Sequence, residues 1–234
     1  DSLSKGMNMV RSGRITKDGK ETSVDLGYPL SRRIGWQTKN KAVYVGKRMV
    51  VPLYSDGFDC TLFALTDNNG EDWFFSNPVL GGAGIQATIA LKKDGGLVAY
   101  LRDNGPPPNR MQRTESNDQG VTWSIPKDDI LANPGSGFDM VTLASGEWLI
   151  VFNNQEDGRN DLTVAISDDE GKSWKWQKQI EHDETKPRPA SSHYPSVIQG
   201  ADGMIHVIYS FHRNDIKPGK TIKYAKFPVE WVKN

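Results

Sequence analysis

Three octets of this sequence superimpose without a gap: Thr66-Asp-Asn-Asn-Gly-Glu-Asp-Trp73, Ser116-Asn-Asp-Gln-Gly-Val-Thr-Trp123 and Ser167-Asp-Asp-Glu-Gly-Lys-Ser-Trp174. The template is hydroxyl, any, Asp or Asn, any, Gly, any, any, Trp. The copies recur at intervals of 50 and 51 residues. A repeat of that length is one supersecondary unit that buries its apolar face only against a neighbouring copy, and a period near fifty fits the blade of a β-propeller. Each position of the octet has a structural use. A short Asp side chain accepts from amides of its own turn, Gly takes a positive φ, and Trp fills the gap to the next strand or blade. Asp118, Asp169 and their tryptophans read as scaffold rather than chemistry.

The flanks repeat too. A short β-type run precedes each octet: Thr61–Leu65, Met111–Glu115 and Leu162–Ile166. Earlier still come paired runs around a glycine turn. Ala42–Val45 and Arg48–Leu53 flank Gly46, Gln86–Leu91 and Leu97–Leu101 flank Gly95, Met140–Leu143 and Trp148–Phe152 flank Gly146, and Tyr194–Ile198 and Met204–Phe211 flank Gly203. Such pairs are hairpin signals. A further run follows each Trp, so each unit reads as a four-stranded antiparallel meander with the octet joining strands three and four. The expected fold class is all-β, a propeller with blades at about 36–83, 84–135, 136–187 and 188–231. The last unit has no octet, and Thr221–Phe227 is its third strand. Residues 1–35 read as an irregular segment or partial blade. The chain is expected to be the C-terminal portion of a propeller of about 6–7 blades.

Composition narrows the function classes. The 29 basic residues balance the 29 acidic ones, and Lys and Arg are scattered, so nucleic-acid binding is not expected. No apolar run is long enough for membrane insertion. The single cysteine, Cys60, excludes a disulfide framework or a multi-cysteine zinc site and reads as a small buried hydrophobe. No dinucleotide or phosphate loop is present, so no cofactor is expected, and no metal site is assigned.

In a four-stranded meander the octet turns share one face with the first hairpin turns. The opposite face carries the longer, polar loops at Ser55–Asp59, Arg102–Arg110, Asn153–Asp161 and Phe211–Lys220, and the starts of the innermost strands. Loops on a rigid scaffold carry function, so the central depression of that face is the candidate pocket. It gathers Arg102, Arg110, Arg159 and Arg213 among cations, Asp56, Asp103, Asp139 and Glu156 among carboxylates, and Gln86, His193, His212 and Tyr194 beside them. Arginine forks of this kind hold a carboxylate in bidentate fashion.

The octets match the Asp-box, or bacterial neuraminidase repeat, and the chain from about 36 to 231 resembles the sialidase-like propeller superfamily. Tyr54–Gly57, Arg102–Pro108 and Tyr194–Gln199 also resemble stretches of bacterial sialidase-like proteins. The resemblance implies a secreted or periplasmic enzyme that removes a terminal acidic sugar from a glycan. It implies that arginines grip the substrate carboxylate, a tyrosine activated by a glutamate is the nucleophile and an aspartate is the acid/base. Carried onto this chain, Tyr194 is the nucleophile, Asp139 and Glu156 are candidate bases, and His193 is a further acid/base candidate. Arg102, Arg110, Asp103, Gln86, Asp56, His212 and Arg213 are candidate substrate contacts. The Phe-Arg-Ile-Pro motif and the early acid/base aspartate of sialidases are not in the sequence and would lie upstream of Asp1. Two other readings stay open. One is a rhamnosyl-glucuronate type hydrolase or lyase, in which a His or Tyr transfers protons. The other is a propeller that binds carbohydrate without altering it. The residues do not fix the sugar, the linkage or the oligomeric state.

Overall fold

The computed structural model describes residues 35–216 and 219–234, together with two short strands of the N-terminal segment. Those strands, β1 (Gly13–Ile15) and β2 (Glu21–Ser23), pair antiparallel. The rest of the expected irregular segment at 1–35 lies outside the described residues.

Four antiparallel sheets follow in chain order. The first comprises β3 (Val43–Val45), β4 (Arg48–Ser55), β5 (Cys60–Thr66) and β6 (Phe74–Phe75). The second comprises β7 (Ile85–Leu91), β8 (Leu97–Arg102), β9 (Arg110–Ser116) and β10 (Lys127–Ala132). The third comprises β11 (Asp139–Thr142), β12 (Trp148–Asn153), β13 (Asp161–Ser167) and β14 (Trp176–His182). The fourth has three strands among the described residues, β15 (Ser191–Gln199), β16 (Ile205–His212) and β17 (Lys220–Phe227), followed by the short helix α1 (Val229–Lys233). Each strand pairs with its successor in the sequence, so every sheet is a meander and the chain is an all-β propeller.

Strands near the axis gather the blades: β4, second in its sheet, packs on β7, β7 on β11, and β11 on β15. Central strands such as β5 and β12 are buried along their whole length, because both faces meet a neighbouring sheet. Three apolar layers fill the gaps. Phe63 and Leu65 meet Ile89 and Leu97 between the first and second blades. Tyr100 and Met111 meet Phe138, Trp148 and Phe152 between the second and third. Leu149 and Val164 meet Val197, Val207 and Tyr209 between the third and fourth. Each fully buried large side chain contributes roughly 1.5–3 kcal/mol, so the blade interfaces hold the ring sector together.

The three octets fold alike. The hydroxyl at the first position accepts the glycine N–H, at 2.8 Å for Thr66–Gly70, 2.9 Å for Ser116–Gly120 and 2.8 Å for Ser167–Gly171. It also donates to the third residue, Asn68, Asp118 or Asp169. That residue in turn accepts the N–H of the seventh, at 2.9 Å in every copy. The second and third tryptophans reach back to the preceding blade. Trp123 stacks on Phe63 with centroids 3.9 Å apart, and Trp174 meets Tyr100 edge-on at 6.1 Å. The glycine must be bare: a Cβ on Gly171 would lie 2.3 Å from Tyr100 Oη.

Candidate functional site

On the face opposite the octets, a depression of about 540 Å³ opens near the centre of the propeller. Thr38 and Lys39 of the first blade line it, with Tyr54 and Asp56 at the end of β4. The second blade adds Gln86 and Arg102, and the fourth adds Tyr194, Pro195 and Ser196. Starts of innermost strands and ends of second strands meet here because the meander brings both to the same face.

Two backbone irregularities aim the lining. Gln86 stands at φ +53° and Tyr194 at φ +48°, the left-handed region that side chains with a Cβ rarely occupy. Each lies where the ladder between the first two strands of its blade slips, between Ile85 and Thr88 in β7 and between His193 and Ser196 in β15. A bulge re-aims the side chain it carries, and here two blades use one at matching places. The bulged side chains meet at Gly137, in the segment leading into β11. A Cβ there would lie 2.9 Å from Tyr194 Cδ1, 3.1 Å from Lys39 Cε and 3.2 Å from Gln86 Oε1.

Within the depression, Arg102 Nη1 donates to Gln86 Oε1 at 3.1 Å, while its Nε is enclosed without a partner. Tyr194 is 48% exposed although its backbone is held on both sides. Asp56 is exposed and is the one carboxylate of the lining. Of the residues singled out by sequence, then, Arg102, Gln86, Asp56 and Tyr194 come together.

The others lie outside the lining, each with a partner of its own. Asp139 is 1% exposed and its carboxylate is filled by donors: Lys41 Nζ at 2.6 Å, the Val197 N–H at 2.9 Å, Thr88 Oγ1 at 3.2 Å and Ser196 Oγ at 3.4 Å. It ties the first, second and fourth blades to the third rather than facing Tyr194. Asp103 is buried and accepts the Gly105 N–H at 2.8 Å, closing the turn before the prolines. Burial pushes its carboxyl up, against the pull of the Gly105 and Arg110 amides. Arg110 and Glu156 pair with each other, which joins the loops of the second and third blades. Arg213 pairs with Asp215 at 2.6 Å on the surface.

His193 points to a neighbouring cluster. Its Nδ1 takes the Arg159 guanidinium at 2.7 Å, its Nε2 lies 2.9 Å from Ser191 Oγ, and its ring stacks on His212 at 4.1 Å. Burial, then the nearby His212, Arg159 and Lys220, lower its pKa to about 4, so it is neutral at pH 7 and accepts from Arg159. His212 is likewise lowered, by burial first and then by Lys220 and Arg159.

Sequence reasoning missed Lys39, Thr38, Tyr54, Pro195 and Ser196. Lys39 sits in a polar run, Gln37–Lys41, that carries no pattern, and the two bulges interrupt runs that otherwise read as plain strands. Their signal is the fold itself.

With that geometry in place, comparisons with known proteins point one way. The BNR repeat-like domain matches residues 35–207. The chain is 25% identical over 206 residues to the anhydrosialidase of Macrobdella decora, which covers 78% of this chain and 26% of that protein. Its fold is similar to that of the intramolecular trans-sialidase from Ruminococcus gnavus, with a TM-score of 0.71 at 19% identity over 92% of this chain and 48% of that one. It is also similar to the NanB sialidase from Streptococcus pneumoniae, with a TM-score of 0.67 at 16% identity over 91% of this chain and 34% of that one. The chain thus spans about a quarter of the curated relative it matches and less than half of either solved chain.

Proposed function

We propose that this chain, which belongs to the BNR repeat-like domain family, carries part of the active site of a sialidase-like enzyme that removes a terminal acidic sugar from a glycan. The observation that carries this reading is the meeting of Arg102, Gln86, Tyr194 and Asp56 in one depression, delivered by three blades and two left-handed bulges. The Arg102 guanidinium, lining the depression beside Gln86, suits the carboxylate of an acidic sugar, since charge-assisted bonds to a guanidinium are the strong ones. Tyr194, exposed at the centre, is the group set to meet the anomeric carbon. Asp56 is the lining carboxylate able to hold or release a proton. Arg159, with His193 and His212 beside it, supplies further positive charge one blade away.

The route after bond cleavage has more than one form. The related proteins named above include an intramolecular trans-sialidase, whereas a hydrolase adds water. Gln86 favours a second reading within the same site. The side chain beside Tyr194 and Arg102 is an amide, which cannot take a proton from a phenol as a carboxylate would. A tyrosine among cations and an amide also suits proton transfer next to a uronate carboxylate. Export of the protein, as glycan substrates would require, is part of the same proposal.

Mass spectrometry of products from a panel of sialosides and uronate-terminated oligosaccharides tests it. A released saturated sugar identifies a hydrolase. A saturated sugar lighter by one water identifies intramolecular transfer, and an unsaturated uronate identifies elimination. Binding through this face without any product would leave a carbohydrate-binding propeller and overturn the enzyme reading.

A further inference from the structure

Lys39 has no part in the family scheme, yet its amine stands at the middle of the depression's support. It donates to Asn40 Oδ1 at 2.9 Å, to the Phe138 carbonyl at 2.6 Å and to the Pro195 carbonyl at 2.9 Å. An ammonium has three protons, and here each has an acceptor. The last two acceptors belong to the third and fourth blades, so one side chain of the first blade spans the centre. Both are next to residues of the site. Pro195 follows Tyr194, whose left-handed backbone needs outside support to persist. Phe138 follows Gly137, the bare position around which Tyr194 Cδ1, Lys39 Cε and Gln86 Oε1 converge.

We propose that Lys39 is the positioning residue of this depression: its protonated amine clamps the Tyr194–Pro195 bulge to the Gly137–Phe138 segment and so sets where the Tyr194 phenol points. The inference deepens the functional reading above and rests on it only for what the phenol acts upon.

Charge and proton count make the clamp sensitive to pH. Lost hydration lowers the Lys39 pKa to about 8; Asp139 opposes this, and Lys41 and Arg102 add to it. Tyr54, Asp56, Arg102 and Tyr194 are the other titratable or charged groups of the lining. A neutral amine keeps two N–H donors and gains a lone pair, so one of the three carbonyl or amide acceptors loses its donor. Loss of the Phe138 or the Pro195 bond opens the clamp outright, and loss of the Asn40 bond frees the amine from the side chain that anchors it in the first blade.

Nuclear magnetic resonance on the full chain, labelled at tyrosine rings, glycine Cα and lysine Cε, reads the clamp without any substrate. The Overhauser contact between the Gly137 α-protons and the Tyr194 ring is expected at neutral pH and should weaken severalfold through a midpoint of about 8. Lys39→Met is expected to weaken it at all pH values, with the signal of the exposed Tyr224 on the fourth blade unchanged. A contact that stays at full strength in Lys39→Met overturns the proposal. If that variant does not fold, the unsubstituted chain decides: a contact that persists unchanged through that midpoint while the Lys39 Cε signal titrates overturns it equally. Failure of the acidic-sugar reading would appear in the glycan assay and leave these spectra as they are.

Discussion

The two faces of the propeller solve opposite problems. On the octet face, the bonds that shape the third copy's turn are local: Ser167, Asp169, Gly171 and Ser173 bond one another. On the other face the partners lie far apart in sequence. Lys39 reaches Phe138 and Pro195, 99 and 156 residues away. Lys41 reaches Asp139, 98 residues away. One face is built of self-sufficient turns. The other consists of side chains held in place by other blades, at two strained backbone positions. Left-handed residues stand on both faces, Asn69, Gln119 and Glu170 in the octets and Gln86 and Tyr194 in the depression; only the second pair interrupts a strand ladder and turns its side chains toward a shared hollow.

Two glycines, one per face, sharpen the contrast most. In Gly171→Ala the new methyl would meet Tyr100 Oη at 2.3 Å and Trp148 Cζ3 at 3.1 Å, at φ +79°. Overpacking and left-handed strain together should cost about 3 kcal/mol or more, read as a drop in chemical-denaturation midpoint. In Gly137→Ala the contacts are 2.9–3.2 Å, and the tightest is to the Tyr194 ring, which is half exposed and can yield into the depression. Its stability cost should be near 1 kcal/mol, while turnover or glycan binding falls by at least tenfold. Equal stability losses in the two variants would erase the distinction between the faces.

Asp169→Ala comes next. It removes the acceptor for Ser167 Oγ, the Ser173 N–H and Ser173 Oγ, the last at 2.6 Å. The expected loss is roughly 1–3 kcal/mol, with glycan affinity unchanged. The same bonds, that to Ser173 Oγ first, hold the Asp169 pKa down to about 2. Its contribution is therefore present above the ordinary carboxylate range and fades only as pH falls toward 2.

This asymmetry explains what could be read in the chain beforehand. The octets, the hairpins and the number of sheets rest on local chemistry, so spacing and residue type expose them: Thr66, Ser116 and Ser167 each announce the turn that follows. The polar face was also legible as a face, because strand alternation fixes which loops share it. Its interior was not. Asp139 looked available as a base because nothing near it in sequence shows that Lys41, Thr88, Ser196 and Val197 fill its carboxylate. Arg110 and Glu156 looked like two ligands and are one another's partners. Lys39 carried no mark at all. Distances between blades are set by the packing of Phe63, Tyr100 and Trp148, not by any motif around the residues that the packing brings together.

Acid unfolding separates the faces by pH. His193 is held at about 4 against 6.5 for a free imidazole, chiefly by burial. Between those values the unfolded chain binds the extra proton, so stability present above 6.5 is lost as pH falls toward 4. Allowing for partial exposure, the loss is roughly 1–2 kcal/mol. His193→Gln should flatten most of that slope, leaving the smaller share of His212, which is lowered for the same reason. A slope that survives His193→Gln intact would mean that the Arg159–His193 contact does not resist protonation.

The smallest expected effect lies in the octet that departs from the other two. Asn68 stands where Asp118 and Asp169 stand, and restoring the aspartate looks like a repair. The neighbours argue otherwise. The Asn68 side-chain oxygen already accepts the Asp72 N–H at 2.9 Å, as an aspartate would, while its Nδ2 donates to Asp72 Oδ2 at 2.9 Å. The seventh residue of the other copies is a hydroxyl, Thr122 or Ser173, which donates to the aspartate at 2.6 Å. Position three is thus an acceptor facing a donor in two copies and a donor facing an acceptor in the first. Asn68→Asp sets two carboxylates together and should destabilise by under about 1 kcal/mol, since both are exposed and screened. Asn68→Asp with Asp72→Ser restores the pairing of the later copies and should recover the loss. A double variant no more stable than the single one would show that the exchange between these positions is not what lets the first octet depart from the template.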